Sequence, residues 1–234
     1  MPRPATPERM DDPDVGPEEM RASFRFIIAV NRWLGGTAAL RSFLARESRS
    51  WDRSGPIRLL DLGTGIADIP LAVGDWARSL GIDLRSVGLD LHPTCLELAR
   101  EAAAGRPDVE IVAGDAREAL ERFGPRSFDY VHAGMFLHHL ADDEVERVLS
   151  IMGRLATRAA VWNDLVRSPL SRLGVRLLTL RSAPIVRDDA RLSVEKGFTR
   201  AEAIGFAERA GLTGIELRTM PLAGRFLLVG RPKT

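Results

Sequence analysis

The stretch Ile57-Arg-Leu-Leu-Asp-Leu-Gly-Thr-Gly-Ile-Ala-Asp68 constrains the fold more than any other part of the chain. It has the pattern of a short apolar strand that ends in an acid, followed by a glycine turn and the start of a helix. Gly63 and Gly65 permit a sharp turn and let a ligand approach the backbone closely. A strand, a glycine loop and a helix in this order hold nucleoside-like ligands at the carboxyl edge of a parallel sheet.

The remainder of the chain continues this alternation of apolar strands and amphipathic helices. The pattern predicts strands at 57–61, 85–90, 109–112, 127–132, 158–163, 213–220 and 224–230, and helices at 66–80, 93–104, 116–122, 142–154 and 199–210. Alternating units of this kind indicate an α/β fold with a Rossmann-like, mostly parallel sheet. Only the short connection Pro221 to Gly224 separates the last two strands, so we expect an antiparallel C-terminal strand in a sheet of seven.

Three segments fall outside the alternation. Residues 1–17 carry five prolines among acids and predict a disordered tail. Residues 18–50 have helical apolar spacing interrupted at Gly35-Gly36, which predicts two N-terminal helices that cover the main domain, 55–234, as a lid. The insert 165–198 contains a helix start at Ser168-Pro169 followed by leucines and arginines, and we expect it to form a second lid segment.

Composition excludes several classes of protein. The 33 basic and 32 acidic residues give a net charge of +1, so nothing attracts the chain as a whole to nucleic acid. The single cysteine, Cys95, forbids an internal disulfide and favours a reducing cytoplasm. No apolar run is long enough to span a membrane, no secretory signal opens the sequence, and no HxxxH or CxxC spacing predicts a metal site.

Polar residues follow successive predicted strands and should therefore meet at one edge of the sheet. Asp90 ends the second strand, where an acid can accept hydrogen bonds from both ribose hydroxyls. Asp115 follows the third strand, where it could receive an adenine amino group beside the backbone of Ala116. Each acid alone could be an ordinary helix cap. Together and in order they favour a nucleoside site.

A dinucleotide-binding domain is the nearest competing interpretation. Its GxGxxG fingerprint requires a third glycine three residues after the second. Asp68 stands at that place in this sequence. An anion there would repel a pyrophosphate, which disfavours NAD.

The sequence resembles the class I S-adenosylmethionine-dependent methyltransferases. The matching motifs are Asp61-Leu-Gly-Thr-Gly65, Asp90, Gly114-Asp115-Ala116 and Phe128-Asp-Tyr-Val. Shorter motifs are similar to those of bacterial small-molecule methyltransferases associated with type III polyketide synthases, namely Asn31-Arg-Trp-Leu-Gly-Gly36, Asn163-Asp-Leu165 and Phe198-Thr-Arg-Ala-Glu202. The resemblance implies S-adenosyl-L-methionine as cofactor. The resemblance also implies which residues contact this cofactor: Asp61, Gly63, Thr64, Gly65, Asp90, Leu91, Asp115, Ala116 and Met135. Asp61 would lie near the amino-acid end of the cofactor.

Candidate catalytic residues follow the fourth strand. His138 and His139 lie beside the expected methyl group, and either could remove a proton from the substrate or could only shape the loop. His132 lies within the strand and is expected to pack in the core. The residues predicted to contact substrate are Asn31, Trp33, Phe136, Asn163 and Asp164; the last two could equally support the loop. With the apolar side of the insert, they would enclose an aromatic or lipid-like molecule.

The favoured function is therefore O-methylation of a phenolic, quinol or polyketide-derived small molecule. C-methylation of a quinone precursor and a cofactor-binding scaffold without catalysis are the alternatives. We expect a cytoplasmic protein, a possible homodimer, without nucleic-acid partners or stable membrane insertion, although the insert could touch a membrane surface. If the tail is disordered, removal of residues 1–16 should leave activity intact.

Overall fold

Seven strands form one sheet in the computed structural model, which describes residues 3–12, 14–52 and 54–233. The strands run in the order β3-β2-β1-β4-β5-β7-β6. The first five are parallel, and β7 is antiparallel to both of its neighbours, β5 and β6. Their bounds are Ile57–Leu62 (β1), Leu84–Asp90 (β2), Val109–Ala113 (β3), Phe128–Gly134 (β4), Ala156–Leu165 (β5), Thr213–Met220 (β6) and Arg225–Arg231 (β7). This confirms the predicted Rossmann-like fold with an antiparallel C-terminal strand.

Helices cover both faces of the sheet. Among the described residues they are Pro17–Trp33 (α1), Gly36–Glu47 (α2), Asp68–Ser79 (α3), Pro93–Ala102 (α4), Ala119–Phe123 (α5), Asp142–Leu155 (α6), Pro169–Leu178 (α7), Pro184–Lys196 (α8) and Arg200–Arg209 (α9). The helix predicted at 116–122 is a single turn of 3-10 helix, Ala116–Glu118, followed by the short α5. Helix α9 begins with a capping box, in which Glu202 accepts from the Thr199 backbone N–H.

Two apolar layers hold the helices to the sheet. Leu59 belongs to the layer under α2 and α3, whereas its neighbour Leu60 belongs to the layer under α6 and α9. Successive side chains of a strand point to opposite faces, so a strand buried on both faces needs apolar residues at nearly every position. The run Ile57 to Leu62 is apolar at four of its six positions, and β1 accordingly lies inside the sheet, between β2 and β4.

The strand order reverses at β1, which pairs with β2 on one side and with β4 on the other. The loops that leave β1 and its neighbours diverge there, toward opposite faces of the sheet. In open α/β sheets ligands bind in the crevice that this divergence creates. The fold thus brings the glycine loop, Asp90 and the His138-His139 loop to one place.

The N-terminal segment 3–12 is packed against the domain, contrary to the prediction of a disordered tail over 1–17; residues 1, 2 and 13 lie outside the described residues. The Arg3 guanidinium donates to the carbonyls of His138, Leu140 and Lys196 and stacks on the Phe198 ring at 4.1 Å. The segment is held mainly by charged side chains that bond to distant backbone. Its composition resembles disorder because few of its contacts are apolar.

The insert 165–198 contains two helices, α7 and α8, where the sequence predicted one. Both begin with proline in the first turn, a position where its missing N–H costs nothing. Helix α8 packs against α1 and against the short turn Arg9–Asp11. The insert and the N-terminal helices therefore form one cover over the carboxyl edge of the sheet.

Candidate functional site

A cavity of about 570 Å³ lies between this edge of the sheet and the cover. The glycine loop and the ends of β2 and β4 form its floor. Helices α1, α7 and α8 and the segment 3–12 form its walls. Most of the lining is apolar with a smaller number of polar groups, which is the composition of small-molecule sites.

The glycine loop is shaped by conformations that favour glycine. Gly63 and Gly65 both have positive φ, 64° and 57°. A Cβ on Gly63 would also lie only 2.4 Å from the Phe136 ring. Both features require glycine at position 63, because other residues would strain the backbone and displace Phe136. Phe136, predicted to contact substrate, thus lines the cavity directly over the loop.

Asp61 is a buried anchor of this loop. Its Oδ1 lies 2.6 Å from His132 Nδ1, and its Oδ2 accepts a hydrogen bond of 2.7 Å from the Thr64 hydroxyl. Asp61 and Thr64 line the cavity, as predicted for cofactor contacts. Both carboxylate oxygens already have partners inside the protein, so the chief role of Asp61 in the structure is to fix the shape of the loop. His132 is buried, as expected for a core residue.

Asp90 connects the end of β2 to the glycine loop. Its carboxylate accepts from the backbone N–H of Gly65 at 2.7 Å and of His92 at 2.9 Å. Burial outweighs these bonds and raises the pKa of Asp90 above its usual value. Asp90, Leu91 and His92 all line the cavity, and Leu91 is exposed. Asp90 therefore orders the backbone and also faces the cavity, while its contact with the ribose stays a prediction.

Asp115 and Ala116 line the cavity at the end of β3. Asp115 caps the 3-10 turn by accepting from the Arg117 backbone N–H at 2.8 Å, and the Arg117 guanidinium pairs with the same carboxylate. Arg117 thereby holds the pKa of Asp115 below its usual value. The Arg117 bonds fix the orientation of the carboxylate at the cavity, and its contact with an adenine amino group stays a prediction.

A buried polar network supports the wall on the side of β7. Arg225 donates to Asn31 Oδ1 at 2.8 Å and to Asn163 Oδ1 at 3.2 Å, and it contacts the Met135 sulfur. Burial lowers the pKa of Arg225 to about 10. Asn31 and Met135 line the cavity, whereas Asn163 lies behind them and donates to the Gly36 carbonyl. The supporting role considered for Asn163 is the one that this geometry favours.

Asn31 also connects this network to Asp68, the first residue of α3. Its amide donates to Asp68 Oδ2 at 2.9 Å. Burial raises the pKa of Asp68, and the nearby Asp61 adds to the effect. Asp68 lines the cavity beside the glycine loop, and the sequence argument used it only to exclude a pyrophosphate. It is a carboxyl group whose ionised form would be favoured by a cation in the cavity.

His138 and Asp164 form a buried pair at the cavity wall. His138 Nδ1 lies 2.7 Å from Asp164 Oδ1, and the same carboxylate accepts from Trp162 Nε1 and the Leu165 N–H. Although burial alone would raise it, His138 and these hydrogen bonds hold the pKa of Asp164 below its usual value. In the described part of the chain His138 Nε2 has no hydrogen-bond partner. Sequence reasoning named both residues but did not pair them.

Glu8 covers His138 from the N-terminal segment. It is 2% exposed, and its Oε1 lies 3.7 Å from His138 Nε2 and 3.5 Å from Lys196 Nζ. His139 differs from His138, since its Nδ1 lies 2.9 Å from Asp11 at the outer side of the segment. Although burial alone would lower it, Glu8 and Asp11 raise the pKa of His139. No local motif in the sequence could have placed Glu8 here.

Among residues 3–12, 14–52 and 54–233, one group of side chains could hold a metal ion. It consists of Glu8, His138 and His139, whose ligand atoms lie within 4.8 Å of one another. Lys196 sits beside Glu8, and the raised pKa of His139 adds a second positive charge. These cations already compensate the carboxylates. The prediction that the chain has no metal site stays a prediction.

Trp33 lies outside the cavity, contrary to the prediction that it contacts substrate. It is 75% exposed, with the Arg32 guanidinium over its ring. The cavity side of α1 is formed by Phe24, Ile27 and Asn31, at helical positions i, i+3 and i+7. A residue two positions after Asn31 necessarily points away from that face.

The sequence around the cavity floor is similar to a known protein family. Residues 59–158 match a family model described as Methyltransferase domain. The chain carries a methyltransferase domain. The match runs from Leu59 in β1 to Arg158 near the start of β5 and includes every predicted cofactor residue. It confirms the resemblance to methyltransferases that the motifs indicated. No curated protein matches the sequence.

Solved structures share the fold of the methyltransferase domain. The plantazolicin methyltransferase BamL, in complex with a triazolic desmethylPZN analogue and SAH, superposes with a TM-score of 0.68 at 12% identity, over 91% of this chain and 90% of BamL. The CurJ carbon methyltransferase gives 0.67 at 12%, over 85% and 54%. An O-methyltransferase family protein from Burkholderia thailandensis gives 0.58 at 16%, over 88% and 60%. The chain thus spans little more than half of the last two.

Proposed function

We propose that this methyltransferase domain transfers a methyl group to an apolar small molecule of the phenolic, quinol or polyketide-derived kind, by O-methylation with His138 as general base. The observation that carries the proposal is the buried His138–Asp164 pair, which lies in the wall of the same cavity as the glycine loop. A base next to a nucleoside-type loop is the arrangement that methylation of a weakly acidic hydroxyl requires.

The residues at the cavity floor fit S-adenosylmethionine. Gly63 and Gly65 have positive φ and no side chain, so the loop turns sharply and a ligand could lie against its backbone. Asp90 would accept from the ribose hydroxyls, while Asp115 and the Ala116 backbone would hold the adenine. S-adenosylmethionine supplies the methyl group on a sulfonium, whose positive charge makes it a good leaving group.

Asp68 extends the predicted set at the amino-acid end. Asp61 has both oxygens engaged by His132 and Thr64, so it orders the loop. Burial raises the pKa of Asp68, which disfavours its ionised form unless a cation lies against it. The ammonium group of the cofactor would provide that charge. We therefore assign the ammonium contact to Asp68, with Asp61 in support.

His138 would remove the substrate proton through Nε2. Asp164 accepts from Nδ1–H, which fixes the tautomer with a lone pair on Nε2, the nitrogen that Glu8 Oε1 covers at 3.7 Å. Nε2 would accept the proton of the substrate hydroxyl, and the Asp164 carboxylate would balance the charge of the resulting imidazolium. Positioning of the nucleophile in line with the methyl group supplies a further part of the rate.

The cavity walls above His138 favour an apolar substrate. Phe24, Phe26, Ile27 and Val30 face the cavity from α1, and Val175 and Leu178 face it from α7. Phe136 and Asn31 are the predicted substrate contacts that lie on this surface. An aromatic ring or an alkyl chain would bury apolar area there at little cost in lost polar contacts.

C-methylation is a second candidate, favoured by the likeness to a carbon methyltransferase. The same base could remove a proton from an activated ring carbon. The position of the new methyl group decides between the two, since a methoxy and a ring methyl give different NMR shifts.

The test is a screen of phenols, alkylresorcinols and quinols with S-adenosylmethionine, in which methylated product is detected by mass spectrometry. For an acceptor that reacts, His138→Gln should abolish turnover and retain cofactor affinity by calorimetry, whereas His139→Gln should retain turnover. Equal loss in both variants would remove the base assignment. Cofactor binding without a product in any class would favour the non-catalytic scaffold.

A further inference from the structure

Exposed leucines surround the opening of the cavity. We call the following six residues of α7, the turn after it and the turn before β7 the leucine face: Leu170, Leu173, Leu177, Leu178, Leu180 and Leu222. Their exposed fractions run from 49% for Leu170 to 95% for Leu222. Single exposed leucines are ordinary, but six grouped on α7 and the two turns beside it mark an interaction surface.

The leucine face has a strongly positive border. Leu170, Leu173 and Leu177 share one side of α7 at positions i, i+3 and i+7, and the exposed Arg172 and Arg176 lie on the adjoining side. Residues 165–187 contain five arginines and no acid, in a chain whose charges otherwise nearly cancel. Two of the five have acidic partners elsewhere, in Glu202 and Asp188. Arg172, Arg176 and Arg181 remain as the charge of this border.

The leucine face continues into the cavity. Leu170, Leu178 and Leu222 are exposed and also line the cavity wall. Ser171, on the buried side of α7, lies against Gly224 and so fixes the helix to the turn before β7. An apolar molecule could therefore pass from the leucine face into the site without crossing a polar rim.

A second copy of the chain is a poor occupant of this surface. In a two-fold dimer each patch meets its own copy, so the arginines would tend to face arginines across the interface. Such a partner would also close the cavity. An anionic lipid surface suits both the leucine face and its arginine border, because acyl chains can surround the leucines and headgroup phosphates can pair with the arginines.

We infer that α7 docks on an anionic membrane surface, with the leucine face inserted below the headgroups and the cavity opening toward the lipid. No helix among the described residues is both long and apolar enough to cross a bilayer, so the contact is interfacial. The inference goes beyond the proposed function. Only its corollary, that substrate enters from the lipid, rests on that function.

The experiment is co-sedimentation of the full chain with vesicles of phosphatidylglycerol and phosphatidylcholine in equal parts, and with phosphatidylcholine alone. It uses no substrate, so a failure of the proposed methylation leaves it unaffected. Two double variants test the surface, Leu173→Ser with Leu177→Ser and Arg172→Gln with Arg176→Gln. Their matched controls are Leu80→Ser, at the far end of α3, and Arg41→Gln with Arg154→Gln, on α2 and α6.

The wild-type chain should bind the anionic vesicles and bind phosphatidylcholine weakly. The arginine variant should partition roughly 30-fold less, the factor expected for two arginines at an anionic surface. The leucine variant should partition to the anionic vesicles about tenfold less, or weaker still. Both controls should match the wild type, and circular dichroism should show that all variants are folded.

Three results would overturn the inference. The first is no binding to anionic vesicles by the wild-type chain. The second is equal loss in the controls, or loss in the arginine variant alone, which would indicate a purely electrostatic ligand. The third is a dimer in sedimentation velocity that the leucine variant converts to a monomer, since the leucine face would then be a protein interface.

Discussion

Replacement of Asp164 by asparagine tests the base pair most directly. The substitution keeps the shape of the side chain and removes its charge. Asp164 accepts three hydrogen bonds, from His138 Nδ1, Trp162 Nε1 and the Leu165 N–H. An asparagine has one oxygen and one amide group, so it cannot accept from all three donors.

The expected cost in stability follows from this count. At least one buried donor is left without an acceptor, which lowers the free energy of unfolding by about 1–3 kcal/mol. For a chain of this size that corresponds to a decrease in melting temperature of roughly 2–12 °C, measured by circular dichroism. The control Asp143→Asn, at an exposed position of α6, should leave the melting temperature unchanged.

The expected effect on catalysis is larger. If the new amide faces His138, the imidazole is forced into the tautomer with its proton on Nε2, and it can no longer accept one from substrate. We expect kcat to fall about a hundredfold or more, the usual contribution of a general base. The affinity for S-adenosylmethionine, measured by calorimetry, should stay within about threefold because the floor of the cavity is untouched.

The double variant Asp164→Asn with His138→Gln separates a catalytic pair from two independent residues. Residues that act as one unit lose little more together than singly. Multiplied losses in the double variant, or a folded Asp164→Asn protein with undiminished kcat, would refute the reasoning.

Three further predictions concern the cofactor loop and the N-terminal segment. Asp90→Ala should weaken S-adenosylmethionine binding at least about tenfold by calorimetry; unchanged affinity would remove the ribose assignment. Deletion of residues 1–12 should lower kcat/KM about tenfold or more, because the cavity loses its closure over the base; undiminished turnover would restore the original expectation for the tail. The raised pKa of His139 stabilises the docked segment below its usual pKa, and this contribution is lost as the pH rises through the raised value. The lowered pKa of Asp11 contributes above its usual value and is lost as the pH falls through the lowered one. The Arg9–Asp11 amides should therefore be best protected at a pH between the lowered pKa of Asp11 and the raised pKa of His139. Hydrogen exchange, corrected for intrinsic rates, measures this protection, and protection independent of pH would contradict the prediction.

The sequence by itself determined the sheet and the floor of the site. The apolar run Ile57 to Leu62, the glycines after it and the acids Asp90 and Asp115 are local signals, because a strand, a turn and the residue that follows are adjacent in the chain. Parallel strands then bring their carboxyl ends together by geometry alone. The methyltransferase motifs could therefore be found before any contact was known.

The cover and the base depended on tertiary structure. The pairing of His138 with Asp164, the closure by Glu8 and the buried Arg225 each join residues 26 to 194 positions apart. No periodicity records such contacts, since each is a single polar side chain that meets a group fixed by the rest of the fold. The N-terminal segment shows why composition misled, because its charged residues bond to distant carbonyls and carboxylates and need no core of their own. Local structure, which depends on residues adjacent in the chain, can be predicted from sequence. Hydrogen bonds and ion pairs between distant polar residues become visible only in the folded structure.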